Sequence, residues 1–476
     1  MQRAWRVAAV VVIVCGFGAC SSSGGQSSAP STSRSGASTT NTRTSAATPT
    51  TRGTEPSGTQ WTTYYGDAAR TGFASDGPAS AGRVHQQWTS PRLDGDVYAQ
   101  PLVVGNRVVI ATENNTVYAL HVSDGSIEWK RHLGEPVPAS ALPCGNVDPV
   151  GVTSTPVVDV RAGRIYVVGL VQPTQHVLFS LALTTGRVVT SVRVDASGAD
   201  PTVHNQRGAL TLSQGTVFIP YGGRYGDCGD YHGRVVAVAV SGRGLGQPES
   251  YTLPTQREGG FWAPPGPVLD ANGNLFLASG NSSSSGAYDY GNSVVRLTAH
   301  LRLVDSWAPE DWAALNAGDI DIGSTSPVLL PGNRVFQIGK AGVGFLLASE
   351  HLGGIGGELH SGDVCGGGGV FGGIAHDGDV LFVPCTDGVV RVTVKGDTFE
   401  TGWTARVSTP GPTVVADGAV WTVATGDGTL VALDESSGRT MASQPVGRVP
   451  SRFTSPAVSG GRVIVAAERV VTSFGD

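Results

Sequence analysis

Two carboxylates lie close together in the segment Gly318-Asp319-Ile320-Asp321. If this segment is extended, alternate side chains share one face, so Asp319 and Asp321 point the same way. Such a pair is able to bind a ligand, or to hold a loop together by accepting backbone hydrogen bonds, and the sequence leaves both roles open. Lys340 adds a candidate cation, because it is one of only three lysines in an arginine-rich chain.

Several other chemistries are disfavoured by the sequence. The ten histidines have no zinc-ligand spacing. The Gly-rich run at residues 365–370 follows no strand-to-helix pattern and is not a phosphate-binding loop, and no Gly-x-Ser-x-Gly nucleophile motif occurs. The 32 basic and 38 acidic residues give a formal net charge of −6, which argues against nucleic-acid binding.

The candidate residues are embedded in a unit that repeats eight times after residue 80, which is typical of propellers and solenoids. Each unit begins with a short run before its first strand, and these runs align at residues 98–101, 154–156, 207–210, 264–267, 324–327, 371–374, 409–412 and 453–456. Buried second strands are predicted at 107–111, 164–168, 216–221, 274–279, 334–339, 380–385, 419–424 and 462–466. Residues 83 to 476 divided by eight give about 49 residues per unit, enough for a four-stranded blade.

The eighth unit has no outermost strand before the chain ends. The segment Arg83–Trp88 has the pattern of an outermost strand but no unit of its own, and Trp88 matches Trp129, Trp307 and Trp403 in other units. We interpret these tryptophans as packing between blades. We therefore predict an all-β fold, an eight-bladed β-propeller of four-stranded antiparallel blades, closed by an N-terminal strand that completes the last blade.

Such a fold brings the starts of the innermost strands together around a central channel. Trp262, Arg207, His204 and Arg452 lie at such starts in different units. They would form a polar, partly cationic pocket for an anionic or sugar-like ligand, or they would plug the channel by bonding to one another. The sequence leaves both arrangements open.

The repeated Ala-Leu-x-x-x-x-Gly-x-x-x-Trp hairpin, clearest in Val117–Trp129, resembles the quinoprotein alcohol dehydrogenase-like β-propellers. This superfamily includes the pyrroloquinoline quinone (PQQ) dehydrogenases and the non-catalytic outer-membrane assembly lipoprotein BamB. The resemblance covers about residues 60–476, and we place the propeller domain at residues 59–476. A shared fold does not by itself assign an activity.

The resemblance to the PQQ dehydrogenases implies roles for particular residues. Trp262 would lie beneath the quinone, Lys340 would contact it, and Arg207 would join them at the cofactor. Asp319 would be the catalytic base that removes the alcohol proton.

The same resemblance implies a calcium site. Asn281, in Ala278-Ser-Gly-Asn281, is similar to a calcium-binding asparagine, although Gly and Asn are also ordinary turn residues. Asp319 would be a second ligand, and Asp227 or Asp230 would take the place of a glutamate ligand. Calcium needs several hard oxygen ligands and would polarise the quinone carbonyl.

The sequence also departs from the PQQ dehydrogenases. They usually carry two adjacent cysteines whose disulfide lies against the quinone, and no adjacent pair occurs here. A haem-attachment Cys-x-x-Cys-His motif and the longer insertions that cap the substrate are also missing. We therefore expect no cofactor, with PQQ and calcium as the alternative.

The start of the chain resembles an export signal. Residues 1–19 combine a basic start, an apolar run and small residues before Cys20, as in a secretory signal peptide. The stretch Phe17-Gly-Ala-Cys20 resembles a bacterial lipobox with Phe17 in place of the usual aliphatic residue, so Cys20 is a candidate for lipidation, with plain secretion as the alternative. Residues 20–58 are rich in Ser, Thr and Gly and predict a disordered tether.

An exported chain meets an oxidising compartment, so its cysteines are candidates for disulfides. Four cysteines follow the tether, and an even number without Cys-x-x-Cys spacing favours two disulfides over a metal site. Three connectivities are possible, and we expect Cys144 with Cys228 and Cys365 with Cys385. Reactive thiols are the alternative.

Two functional hypotheses follow. The first is a non-catalytic cell-envelope scaffold that presents its loop faces and central pocket to a protein, peptide or glycan partner. The second is a PQQ- and calcium-dependent dehydrogenase that oxidises alcohols or sugars, and the missing cysteine pair places it behind the first. In either case we expect a monomer that is exported and contacts the membrane through a lipid anchor only, or is secreted.

Overall fold

The computed structural model describes residues 60–241 and 244–476. The signal peptide, Cys20 and the tether predicted for residues 1–58 lie outside the described residues. The described chain forms eight sheets, each an antiparallel meander from the centre outward, which confirms the predicted eight-bladed β-propeller. Its α-helix is Trp312–Ala317, and 3₁₀ turns occur at Ala81–Arg83, Ala139–Ala141 and Ile322–Ser324.

The first four blades follow one another along the chain, and their strands are given from the innermost outward. Blade 1 consists of Leu102–Val104, Arg107–Ala111, Thr116–His121 and Ile127–His132. Blade 2 consists of Val157–Asp159, Arg164–Val171, Gln175–Ala182 and Val188–Arg193. Blade 3 consists of Thr211–Ser213, Thr216–Gly223, Arg234–Ser241 and Glu249–Thr252, with short extra strands His204–Asn205 and Gly244–Leu245. Blade 4 consists of Val268–Leu269, Leu275–Ala278, Val294–Leu297 and Leu303–Ala308, with Gly354–Ile355 added in parallel outside it.

The remaining four blades repeat the same order. Blade 5 consists of Val328–Leu330, Arg334–Ile338, Val343–Ala348 and His360–Asp363. Blade 6 consists of Ala375–Asp377, Val380–Cys385, Gly388–Lys395 and Thr398–Arg406. Blade 7 consists of Val414–Ala416, Ala419–Ala424, Thr429–Asp434 and Thr440–Pro445, with Phe73–Ala74 added in parallel at its inner edge. Blade 8 consists of Ala457–Ser459, Arg462–Ala467, Val470–Gly475 and His85–Thr89.

The outermost strand of blade 8 comes from the amino-terminal side of the domain. His85–Thr89 pairs antiparallel with Val470–Gly475, the last strand of the chain. Antiparallel pairing covers the outer edge of the last sheet with backbone hydrogen bonds. Blade 8 is therefore built from both ends of the described chain.

In three blades a tryptophan of the outer strand packs against a glycine of the next blade. A Cβ atom on Gly125 would lie 2.4 Å from the Trp88 ring, and one on Gly186 would lie 2.4 Å from the Trp129 ring. The same contact joins Trp403 to a glycine of blade 7 at 2.5 Å. Because these glycines have positive φ and support an indole face, they are sites where only glycine fits.

The segment of residues 60–76, which we call the floor segment, runs along the innermost strands. Its backbone hydrogen-bonds to strands of blades 1, 2, 4, 6, 7 and 8. The guanidinium of Arg70 reaches blade 3, where it donates to the carbonyl of Leu210 at 2.9 Å and the hydroxyl of Thr211 at 2.6 Å. The floor segment therefore ties seven blades together at the centre of the molecule.

Two disulfides join loops at the end of the propeller where the innermost strands begin, which we call the upper face. Cys144 pairs with Cys228 across 84 residues. Cys365 pairs with Cys385 across 20 residues. These are the two pairs expected from the sequence. No helix within residues 60–241 and 244–476 is long and apolar enough to cross a bilayer.

Candidate functional site

The upper face brings the sequence-predicted residues together because neighbouring strands are antiparallel. The start of each innermost strand lies beside the end of the second strand, so the loops at both positions share one end of the propeller. Trp262 precedes the innermost strand of blade 4, and Asn281 follows its second strand. Lys340 follows the second strand of blade 5.

Aromatic and cationic side chains meet across the axis at this face. The rings of Trp262 and Phe453, from the opposed blades 4 and 8, lie edge to face with centroids 6.2 Å apart. The Arg207 guanidinium carbon lies 4.5 Å from the Phe453 ring centroid and 5.9 Å from that of Tyr98. These contacts are aromatic packing and cation–π interactions. The described residues that meet at the axis are therefore in contact through rings and a guanidinium, and not through hydrogen bonds to one another.

Lys340 holds the two carboxylates of the predicted acidic pair. Its Nζ lies 2.6 Å from Asp321 Oδ2 and 2.8 Å from Asp319 Oδ1. The other oxygen of Asp321 accepts the backbone N–H of Asn281 at 2.5 Å. Both oxygens of Asp321 therefore have partners, and its side chain is 4% exposed. Lys340 Nζ lies 6.0 Å from the centroid of the Trp262 ring.

A glycine allows this cluster to form. A Cβ atom on Gly280 would lie 2.6 Å from Asp321 Oδ1 and 3.0 Å from Trp262 Nε1. Any larger residue would push the carboxylate away from the indole. The Ser-Gly-Asn element noted in the sequence does not form a turn here, and its glycine leaves room for both Asp321 and Trp262.

The positive charge of Lys340 and the negative charges of the two aspartates stabilise one another. Burial raises the pKa of Asp321, and the ammonium of Lys340 offsets part of that rise. Burial lowers the pKa of Lys340, but the negative charges of Asp321 and Asp319 outweigh it, so the net shift is upward. Lys340 is therefore a cation at neutral pH, fixed between two carboxylates.

Glu258 belongs to this cluster and was missed by the sequence analysis. Asn281 Nδ2 donates to Glu258 Oε2 at 3.3 Å, and Arg257 forms an ion pair with the same carboxylate. Burial raises the pKa of Glu258, and Arg257 lowers it in part. Glu258 lies four residues before Trp262 in the sequence, and this proximity is the signal that could have identified it.

The other predicted residues are placed differently. Asp227 Oδ1 accepts the hydroxyl of Tyr231 at 2.5 Å. Asp230 has a side chain that is 80% exposed and lies 3.6 Å from His232. His204 is buried, and its Nε2 accepts a hydrogen bond from Arg234, so it holds the blade 3 loop together.

The donor set does not fit a calcium ion in this arrangement. Calcium takes six to eight oxygens around one point, and within the described ranges no three His, Cys, Asp or Glu side chains form a group able to hold a metal. The position between Asp319 and Asp321 is taken by the ammonium of Lys340. In this arrangement both carboxylates are therefore bound by a lysine.

The fold is a PQQ-like eight-bladed propeller. The family model described as "Outer membrane protein assembly factor BamB" matches residues 58–317 and 371–474, more than half of the chain, and the protein belongs to this family. No curated protein matches the sequence significantly.

Solved structures share the fold at low sequence identity. Quinohemoprotein alcohol dehydrogenase ADHIIG from Pseudomonas putida HK5 has a TM-score of 0.68 and 14% identity over 88% of this chain and 80% of its own. A europium-containing methanol dehydrogenase has a TM-score of 0.66 and 14% identity over 88% of this chain and 98% of its own. BamB from Moraxella catarrhalis has a TM-score of 0.55 and 14% identity over 83% of this chain and 98% of its own. At this identity the similarity shows the fold alone.

Proposed function

We propose that this protein is a non-catalytic binding propeller of the cell envelope. It presents its upper face to a protein, peptide or glycan partner, and it is exported and held at the membrane by a lipid on Cys20. The observation that carries this proposal is the Lys340 cluster, in which an internal cation already forms ion pairs with the carboxylates of Asp319 and Asp321. Charge-assisted hydrogen bonds between a lysine and two carboxylates of the same protein are suited to holding loops in place.

The upper face has further features of a binding surface. Tyr225 is 73% exposed, in a loop that the Cys144–Cys228 disulfide attaches to its neighbour. Exposed aromatic residues on anchored loops are frequent contributors to binding.

The second candidate is a PQQ-dependent dehydrogenase. It is favoured by one observation, the meeting of Trp262, Asn281, Asp321 and Lys340 in one cluster. In a dehydrogenase of this kind, an ion would share the carboxylate of Asp321 with Lys340, because each carboxylate oxygen can accept more than one partner. The two candidates therefore differ in what the cluster does when PQQ and calcium are supplied.

Two measurements on the full chain separate these candidates. Equilibrium dialysis with PQQ and Ca²⁺, followed by dye reduction with alcohols and sugars, is expected to show neither binding nor turnover. Turnover that is lost in Asp319→Asn, which removes the base implied by the resemblance, or in Asp321→Asn would instead support the dehydrogenase.

Partner binding is tested by photo-crosslinking in cells. A crosslinking amino acid at position 225, on the upper face, is expected to give a discrete adduct. The matched control is position 397, in an exposed turn between the outer strands of blade 6 at the opposite end of the propeller. Equal labelling from both positions, or none from either, would contradict the proposal.

A further inference from the structure

A groove on the upper face, beside the axis, has no role in the cluster described above. Its volume is about 310 Å³, and it lies where the outer strand of blade 6 leads into blade 7. It is lined by Thr386, Asp387, Arg406, Val407, Ser408 and Thr409. A smaller recess shares two of these residues and extends toward the axis, and it is lined by Phe371, Pro384, Thr386, Thr409, Pro410 and Arg452. We call the two together the side groove.

The charged side chains of the side groove form no ion pair or side-chain hydrogen bond with another described residue. Arg406 and Asp387 line the same groove but form no ion pair, and no side-chain hydrogen bond joins either to another described residue. Arg452 lies with its guanidinium carbon 4.2 Å from the Phe371 ring centroid and has no acidic or hydrogen-bonding partner within residues 60–241 and 244–476. Stacking leaves the N–H edge of a guanidinium free, and this edge matches a carboxylate or phosphate.

The walls of the side groove are held rigidly. The Cys365–Cys385 disulfide fixes the strand that leads into Thr386, and the Thr386 backbone and hydroxyl both donate to the Gly369 carbonyl at 2.9 Å. On the other side, the carbonyl of Thr409 accepts two hydrogen bonds from Thr425. A preorganised wall lowers the entropic cost of binding a ligand.

Thr409 adopts a backbone conformation that its side chain disfavours. Its φ is +46°, and a β-branched residue is strained in the left-handed region. The hydroxyl of Thr409 has no protein partner among the described residues, although Thr409 lines both parts of the side groove. Strain at an unbonded polar residue is often found where a ligand is held.

We propose that the side groove binds an acidic saccharide, a sugar that carries a carboxylate or a phosphate. The lining is mostly polar, which suits a hydrophilic ligand, and its volume suits roughly one or two sugar rings. Two arginines against one aspartate make the groove cationic in a chain with a net charge of −6. The carboxylate of Asp387 and the hydroxyls of Ser408 and Thr409 would bind sugar hydroxyls, and the arginines would bind the acid group.

This inference rests on the proposed function, because it names the glycan class among the possible partners. Isothermal titration of the full chain uses glucuronate, glucose 6-phosphate and glucose as probes. The acidic sugars are expected to bind about tenfold or more tightly than glucose, and binding of one acid alone identifies the carboxylate or the phosphate as the recognised group. No saturable binding of either acidic sugar up to about 10 mM overturns the proposal.

Variants connect the binding to the side groove. Arg406→Gln and Arg452→Gln are each expected to weaken acidic-sugar binding about tenfold. Arg302→Gln is the matched control, since Arg302 is exposed and lies in a turn of blade 4 far from the groove. Binding that neither groove variant weakens also overturns the proposal.

Thr409→Gly separates binding from folding. Glycine accepts positive φ, so this variant is expected to be at least as stable as the natural chain but to bind the acidic sugar several-fold more weakly. Unchanged affinity in Thr409→Gly counts against the hydroxyl as a ligand group. The photo-crosslinking result at position 225 is independent of these titrations, so a failure of sugar binding does not mimic a failure of the proposed function.

Discussion

At the scale of single residues, the contacts of Lys340 show how a lysine acts as the counter-ion of a buried carboxylate. Lys340 reaches Asp321, which is almost completely buried, and Asp319, which is largely exposed. A buried carboxylate without a partner is costly because it has lost its hydration. We therefore expect the buried ion pair to matter for folding far more than an exposed one.

Lys340→Met tests this expectation. The substitution leaves Asp321 buried and unpaired, so the free energy of unfolding is expected to fall by about 3 kcal/mol in urea denaturation. Lys395→Met is the matched control, because Lys395 and Glu400 are both well exposed, and its cost is expected to be about 0.5 kcal/mol or less. Adding Asp321→Asn to the Lys340 variant should restore part of the loss, and a loss no larger than in the control would argue against a buried pair.

Glu113 provides a pH-dependent prediction. Burial raises its pKa to about 7, and the hydrogen bond from Gly151 and the charge of Arg207 lower it in part. The folded state therefore binds a proton between about pH 4.5 and 7 that the unfolded state does not bind, so the stability due to this group is lost as the pH rises through 7.

Glu113→Gln removes this titration. Natural protein is expected to lose about 2 kcal/mol relative to the variant between pH 5 and pH 8. Urea denaturation at the two pH values measures the difference. Glu249→Gln is the control, because Glu249 is exposed on an outer strand, and it should show no such change. A parallel pH dependence in all three proteins would refute the assignment.

At the scale of elements, the blades are joined by repeated contacts between a tryptophan and a glycine. Gly186, in blade 2, has φ +63° and supports the Trp129 ring of blade 1. Gly163, in the same blade, has φ +62°, and a Cβ atom added to it would have no neighbouring atom within 4 Å. The two glycines have the same backbone conformation and differ in the neighbouring ring. Comparing the same substitution at both glycines therefore separates the cost of backbone strain from the cost of disturbed packing.

Gly186→Ala is expected to destabilise the fold more than Gly163→Ala. Both changes carry the cost of positive φ, about 1 kcal/mol, but only the first forces the Trp129 ring to move. The additional loss is expected to be about 2 kcal/mol, measured as a difference in the free energy of unfolding. Equal losses in the two variants would mean that the indole contact contributes little.

At the scale of the whole molecule, the floor segment joins blades that are distant along the chain. Arg70 is 3% exposed, and burial lowers its pKa to about 10. Its guanidinium donates to Tyr64 and Thr63 within the floor segment and to Leu210 in blade 3. This one side chain therefore connects the floor segment to blade 3, to which the described part of the chain shows no backbone hydrogen bond from that segment.

Arg70→Met is expected to lower the free energy of unfolding by about 3 kcal/mol, because several buried acceptors lose their donor. Arg164→Met is the control, since the Arg164 guanidinium bonds only to carbonyls of its own turn. Thermal and urea denaturation measure both variants. A loss in Arg70→Met no greater than in the control would show that the floor segment is held by its backbone alone.

The sequence alone determined the blade count and most second strands, whereas it left three disulfide connectivities possible, and the structure has the expected one. Arg107–Ala111, Val380–Cys385 and Ala419–Ala424 have the predicted bounds, because a run of buried apolar residues between turns specifies a strand locally. The number of units followed from counting these local patterns. Trp262 and Asn281 could be singled out through the resemblance to the PQQ dehydrogenases, and Lys340 also because lysine is rare in this chain.

Only the tertiary structure decided what these residues contact. The meeting of Trp262 with Phe453, the place of Glu258 beside Asn281 and the shared lining of the side groove all join different loops or blades. Such contacts depend on how the blades are rotated about the axis and on which rotamer each side chain adopts. Neither quantity is encoded in a local pattern of apolar residues, because both are set by packing among segments far apart in the chain.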